Sequence, residues 1–235
     1  VHDSALGGAV DGMLAEYVVL PEHGVIPAPR GWTAEQTSTL PCAGLTAWNA
    51  LVEGTPVKAG QTVLLLGTGG VSVFGLQFAR MLGARTIITS SSDEKLAGMA
   101  DLGADVGINY SAHPRWSDIV LEETGGVGAD LVLEVGGAGT LAQSMACTRH
   151  GGQIALIGIL TGPSGEVNPG LLVGRSVDLR GLYVGSREMF AEMNAAIETN
   201  GLDPLVDRVF PFEQAAEAYD YLASQAHIGK VVVSV

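Results

Sequence analysis

Thr62-Val63-Leu64-Leu65-Leu66 runs directly into Gly67-Thr68-Gly69-Gly70-Val71-Ser72 and then into an uncharged stretch with helical spacing. A buried strand, a glycine turn and a helix in that order leave few architectures open. Gly67 permits a sharp turn, and Gly69 lets the backbone come close to a pyrophosphate that the free N–H groups of the helix N-terminus attract. Thr68, Gly70 and Val71 complete the turn. Ser72 stands where a third glycine is usual and is small enough to keep helix and strand close. The pattern points to a dinucleotide site, although a purely structural βα turn or a site for another nucleotide uses similar glycines. The uncharged run from Gln61 to Ala79 has nearly membrane-spanning length, but the glycines interrupt it at its centre.

Around this turn, strands are predicted at 62–66, 85–89, 106–110, 130–135, 153–158 and 178–184. Helices are predicted at 71–82, 94–102, 116–124 and 141–148, with a poorer one near 169–173. Gly83, Gly103 and Gly125 follow the first three helices, where a left-handed residue is wanted. Six strands alternating with helices imply an α/β fold, a parallel sheet with crossovers on both faces. The flanks differ. Tyr17-Val18-Val19 within 13–20 reads as a strand, 21–31 is turn-rich and 34–52 reads as one helix. Near the end, 188–199 and 213–223 read as helices, 205–210 and 230–235 as strands.

Composition narrows the function. Charged residues are only 16% of the chain, against roughly 25% in an average soluble protein, so disorder is not expected. The 12 Lys and Arg against 25 Asp and Glu give a net charge of −13, which repels phosphate backbones and anionic lipid. Neither a nucleic acid nor a membrane partner is expected. Cys42 and Cys147 make no disulfide framework and no metal cluster, so a cytoplasmic compartment is the default. No charged segment followed by an apolar stretch opens the chain, so no secretory signal is expected.

Several ordered motifs resemble one family: 15–19 (Ala-Glu-Tyr-Val-Val), 40–48 (Leu-Pro-Cys-Ala-Gly-Leu-Thr-Ala-Trp), the glycine turn, 90–96, 108–110, 134–137 (Glu-Val-Gly-Gly) and 229–232 (Gly-Lys-Val-Val). The chain resembles the medium-chain dehydrogenases/reductases, most closely their zinc-independent alcohol dehydrogenase-like and quinone oxidoreductase-like branch. The resemblance implies a Rossmann doubly wound six-stranded sheet with remnants of a GroES-like β domain at both ends. It divides the chain into a GroES-like remnant at 1–30, a dinucleotide domain at 31–187 and returning helices and strands at 188–235. The chain thereby reads as a member lacking most of its N-terminal domain.

An NAD-specific site ends its second strand with an acid that binds the ribose 2′-OH. Here the strand ends in Ser90. Ser90, Ser91 and Ser92 offer hydroxyls, and the resemblance implies that Lys95 and Tyr110 hold a 2′-phosphate, so NADP(H) is favoured over NAD(H). The serines could instead cap a helix, Ser91 with Glu94 forming a capping box, and Lys95 could be a solvated charge. By the same resemblance Thr46 and Cys42 approach the nicotinamide. Ile157, Gly158, Ile159, Tyr183 and Val184 flank it, Gly136 and Gly137 lie beside the adenine ribose, and Lys230 lies near the pyrophosphate. Cys42 matches a zinc-ligating position of the zinc-dependent branch but reads here as a pocket-lining or structural thiol, and no zinc is expected. Cys147 reads as core, and the five histidines as surface residues. The expected activity is hydride transfer between NADP(H) and an alcohol, carbonyl, enone or quinone, with a small-molecule substrate and a homodimeric assembly. A zinc-dependent enzyme with ligands upstream of Val1 and a non-catalytic NADPH-binding protein are the alternatives.

Overall fold

In the computed structural model, which describes residues 2–235, with side chains from Asp3 onward, six strands form one parallel sheet in the order β3-β2-β1-β4-β5-β6. They are β1 (Thr62–Leu65), β2 (Arg85–Ser90), β3 (Val106–Asn109), β4 (Ala129–Glu134), β5 (Thr148–Leu156) and β6 (Asp178–Gly181). Buried residues alternate between the two faces, as the two-residue period of a strand requires. Val63, Leu65, Ile88, Leu131, Leu133 and Ala155 pack on one face. Leu64, Leu66, Ile87, Ile108, Val132 and Ile154 pack on the other. Because both faces are covered, the strands read as continuous apolar runs.

The first face is covered by α2 (Leu45–Val52), α3 (Gly70–Met81) and α8 (Arg187–Asn200); Trp48 of α2 meets Phe78 of α3 edge-on, ring centroids 5.4 Å apart. The second is covered by α5 (Trp116–Glu123), α6 (Leu141–Cys147) and α7 (Pro169–Arg175), while α4 (Asp93–Asp101) joins β2 to β3. Gly75 explains how closely α3 lies on the sheet. A Cβ there would stand 2.8 Å from methyls of both Leu65 and Leu133, so a residue unfavourable in a helix is retained for the contact.

Four expectations are corrected. The helix expected at 34–52 is α1 (Ala34–Thr37), a π-type turn (Leu40–Gly44) and α2. Pro41, with no N–H to donate and a ring that clashes with the preceding turn, breaks it. The strand expected within 13–20 does not form: Tyr17 is 92% and Val19 99% exposed, with no strand beside them to supply backbone partners. Ser92, not Ser91, caps α4, its hydroxyl accepting from the Lys95 N–H. His227, expected at the surface, is half-buried; His23, His113 and His150 are exposed as expected, while the side chain of His2 lies outside the described residues. The terminal strands β7 (Val206–Pro211) and β8 (Lys230–Ser234) pair in parallel as a separate two-stranded sheet, connected through α9 (Ala215–Ala223). Among the described residues no helix is long and apolar enough to cross a membrane.

Candidate functional site

The strand order reverses between β1 and β4, and ligands of open α/β sheets bind in the crevice beyond the strand ends at such a point. The glycine turn leaves β1 there. Gly67 has φ +73°, which only glycine adopts without strain, and its N–H donates to the Thr89 hydroxyl at 3.1 Å, tying the turn to the end of β2. Gly69 needs no such freedom: its φ is −77° and a Cβ would meet nothing within 4 Å. Its backbone is bare towards the crevice, as close approach by a pyrophosphate demands. Ser72 is buried and donates to the Leu66 carbonyl at 2.6 Å, holding α3 against β1 in the place of the third glycine. Thr68 is buried and Val71 half-buried.

The far wall of the crevice comes from the chain's end. The Gly229 N–H donates to the Thr68 carbonyl at 2.9 Å, and Gly69 and Gly229 form a parallel bridge. Lys230, the first residue of β8, lays its stem against Gly70 at the start of α3. The Lys95 ammonium donates to the carbonyls of Gln225 (2.5 Å) and His227 (2.9 Å) and clamps the same loop from α4. Burial, and after it the charges of Lys95 and Lys230, hold the His227 imidazole below its usual pKa against the opposing pull of Asp207.

At the end of β2, Ser90 is buried, its hydroxyl accepting from the Ser92 N–H at 3.3 Å, and Ser91 is exposed. The Tyr110 N–H donates to the Ser90 carbonyl at 2.9 Å, which brings the tyrosine beside the serines. Ser90, Ser91, Ser92, Lys95 and Tyr110 therefore share one lip.

Beyond β4 sits a residue that the sequence did not single out as a site residue. Glu134 is fully buried, and its carboxylate accepts from the N–H groups of Gly136 (2.8 Å) and Gly137 (2.9 Å), from the Thr140 hydroxyl (2.5 Å) and from the Ser144 hydroxyl. Four donors replace the water that a buried carboxylate loses. They also fix the turn expected beside the adenine ribose. A side chain on Gly158 would strike the Val135 carbonyl, so the turns after β4 and β5 pack backbone to backbone. Ile157 is half-buried, Ile159 exposed, Tyr183 exposed and Val184 half-buried, an apolar border at the ends of β5 and β6. Thr46 is buried on α2 and Cys42 exposed on the π-type turn. Among the described residues no group of three or more His, Cys, Asp or Glu could hold a metal ion.

The glycine turn at the switch point of a six-stranded parallel sheet defines a fold of the dinucleotide-binding, Rossmann class. The profile of the zinc-binding dehydrogenases matches residues 70–199. A zinc-type alcohol dehydrogenase-like protein of Schizosaccharomyces pombe is 49% identical over 238 residues, spanning 99% of this chain and 69% of that protein. An NAD-dependent alcohol dehydrogenase of solved structure superposes with TM-score 0.90 at 36% identity, covering 98% of this chain and 67% of its own. The quinone oxidoreductase of Thermus thermophilus, solved also as its NADPH complex, gives TM-score 0.81 at 31% identity over 95% of this chain and 74% of its own. The chain belongs to the zinc-binding dehydrogenase family, within the medium-chain dehydrogenases/reductases, and is an NAD(P)-dependent oxidoreductase by that membership.

Proposed function

We propose that this chain is the cofactor-holding part of an NADP(H)-dependent, zinc-independent oxidoreductase acting on a small alcohol, carbonyl, enone or quinone. The observation that carries NADP(H) is Ser90 at the end of β2, where a 2′-OH-binding acid would stand, in a lip with Lys95 and Tyr110. Zinc independence is part of this reading because Cys42 is a single thiol, and one thiol defines no zinc site. Segment 31–187 is the cofactor domain in this reading, and two free cysteines suit a cytoplasmic compartment.

The chain's own residues divide the work. Gly67–Val71 and Lys230 take the pyrophosphate, the lip takes the adenosine end, and Gly136 and Gly137, held by Glu134, seat its ribose. Thr46, Ile157, Ile159, Tyr183 and Val184 orient the nicotinamide and exclude water from it. Bound there, the nicotinamide supplies or accepts the hydride.

One observation favours NAD(H) instead: the Lys95 ammonium already donates to two carbonyls. Calorimetric titration separates the two readings. NADPH is expected to bind at least about tenfold tighter than NADH, and Ser90→Asp to reverse the order, because a carboxylate accepts from a 2′-OH and repels a 2′-phosphate. Equal affinities in the unmodified chain would overturn the NADP(H) reading.

A further inference from the structure

Val184, expected beside the nicotinamide, has φ +50° and is the only β-branched residue among the described residues in the left-handed region. That conformation is costly for a branched side chain and persists only where neighbours impose it. The neighbour here is Asn49. It lies on α2, one turn beyond Thr46, is only 8% exposed, and donates through its side-chain amide to the Val184 carbonyl at 2.7 Å. Its own main-chain carbonyl accepts from the Arg180 guanidinium of β6 at 2.9 Å, so α2 is fastened to β6 and to the turn beyond it at two points.

The second amide atom sharpens the argument. Asn49 Oδ1 is buried with no hydrogen-bond partner, although an unmatched buried acceptor is destabilising. Turning the amide over would set two acceptors against each other at the Val184 carbonyl. An apolar side chain of similar volume would avoid both difficulties. The amide thus keeps one unmatched atom in order to make one bond, and that bond ends on the strained residue.

We infer that Asn49 is a positioning residue: it holds Val184 in its left-handed conformation and thereby sets the wall on which the nicotinamide rests. Thr46 and Asn49 share a helix face, so α2 places one side chain against the ring and pins the opposite wall with the other. The inference rests on the proposed cofactor reading and adds a residue to it. Asn49 does not touch the reacting atoms in this scheme; it acts through Val184.

The test uses the whole chain, with NADPH and adenosine 2′,5′-bisphosphate as probes. The second carries the adenosine end and lacks the nicotinamide, so damage confined to the nicotinamide wall separates them. Affinities are measured by calorimetry, and the ring's surroundings are followed through NADPH emission. In Asn49→Asp, which keeps the shape and loses the donor, and in Asn49→Leu, which removes the amide, NADPH affinity is expected to fall about fivefold to tenfold and the bound emission to move towards that of free NADPH. Bisphosphate affinity is expected to change less than about twofold. Val184→Gly frees the backbone from its strain, so Asn49→Leu added to it is expected to cost less than about twofold more.

Equal losses for both probes would mean that Asn49 supports the fold generally, and unchanged NADPH binding and emission would mean that it positions nothing. Independent multiplication of the Asn49 and Val184 effects would place its action elsewhere. Each overturns the inference while leaving the cofactor reading intact. If the unmodified chain binds neither probe, the cofactor reading fails and this inference fails with it.

Discussion

At the scale of single residues, the site is built by side chains that touch backbone rather than ligand. Glu134, Thr89 and Asn49 each fix a turn that carries a residue of the proposed cofactor site. Their roles were illegible in the sequence because each depends on a partner brought near by the sheet. Gly67 and Ser90 can be proposed from the sequence because the argument for them is local, set by position along one strand–turn–helix unit, and the structure gives Gly67 the positive φ that a sharp turn needs. Glu134→Ala should strand four donors, three of them buried, and lower the unfolding free energy by roughly 3 kcal/mol or more, whereas Glu134→Gln, which keeps the shape and one acceptor, should cost about half as much. Urea unfolding of the two variants checks the order. A loss below about 1 kcal/mol for the alanine would mean that other groups or water satisfy the turn. Gly69→Val makes the complementary case. With φ −77° and open space at its Cβ position, the fold should hold its melting temperature to within a few degrees. A branched side chain facing the pyrophosphate should weaken NADPH binding by about a hundredfold or more. Retained binding in that folded variant would remove the glycine turn from the site.

At the scale of elements, six strands and the helices between them can be read from apolar runs and following glycines, and they form near the expected bounds except β5, which begins at Thr148 rather than 153, directly after α6. The misreadings share a cause. Residues 34–52 have a continuous helical pattern, but Pro41 interrupts the hydrogen-bond ladder and pushes Cys42 out to solvent on a π-type turn. Residues 17–19 have strand propensity, but propensity makes no strand without a neighbour to bond. Helix α6 supplies a test of how dry the second face of the sheet is. Burial there, reinforced slightly by the charge of Glu134, pushes the Cys147 thiol from its usual 9.0 up to about 12, with Arg175 opposing. Above pH 9 the unfolded chain loses this proton and the folded chain keeps it. Stability should therefore fall between pH 9 and about 12, at up to about 1.4 kcal/mol per pH unit from this group alone. Cys147→Ala lacks the proton, so its unfolding free energy, though lower at neutral pH through the lost packing, should decline less steeply over that window. Parallel declines in denaturation series would show that the thiol titrates alike in both states. Labelling by a thiol reagent at pH 8 should reach Cys42 in the native protein and Cys147 only on unfolding.

For the whole molecule, the chain carries every cofactor contact proposed above, yet spans 69% of its fission-yeast relative. Ile159 (61% exposed), Leu160 (84%) and Tyr183 (60%) lie open at the proposed nicotinamide end, and Tyr17 and Val19 form a second exposed apolar stretch. Surfaces of that kind call for a cover, supplied by more chain or by another copy, so we propose a homodimer and expect larger species as well. Binding and turnover should then separate. The pyrophosphate and adenosine contacts need only the glycine turn, the lip and the clamped loop, so NADPH should bind with nearly full affinity. Hydride transfer needs a ring held in one orientation and shielded from water, and loss of those two contributions slows it by orders of magnitude. Joining this chain to the part of the fission-yeast relative outside the matched region gives the comparison. The chimaera should bind NADPH within about threefold of the chain alone and consume it at least about a hundredfold faster with a panel of enones, quinones and aldehydes. It should also sediment with less of the larger species. Equal turnover by both would mean that the cofactor lobe closes its own nicotinamide pocket, and that the exposed ends of β5 and β6 are an ordinary surface rather than half of a wall.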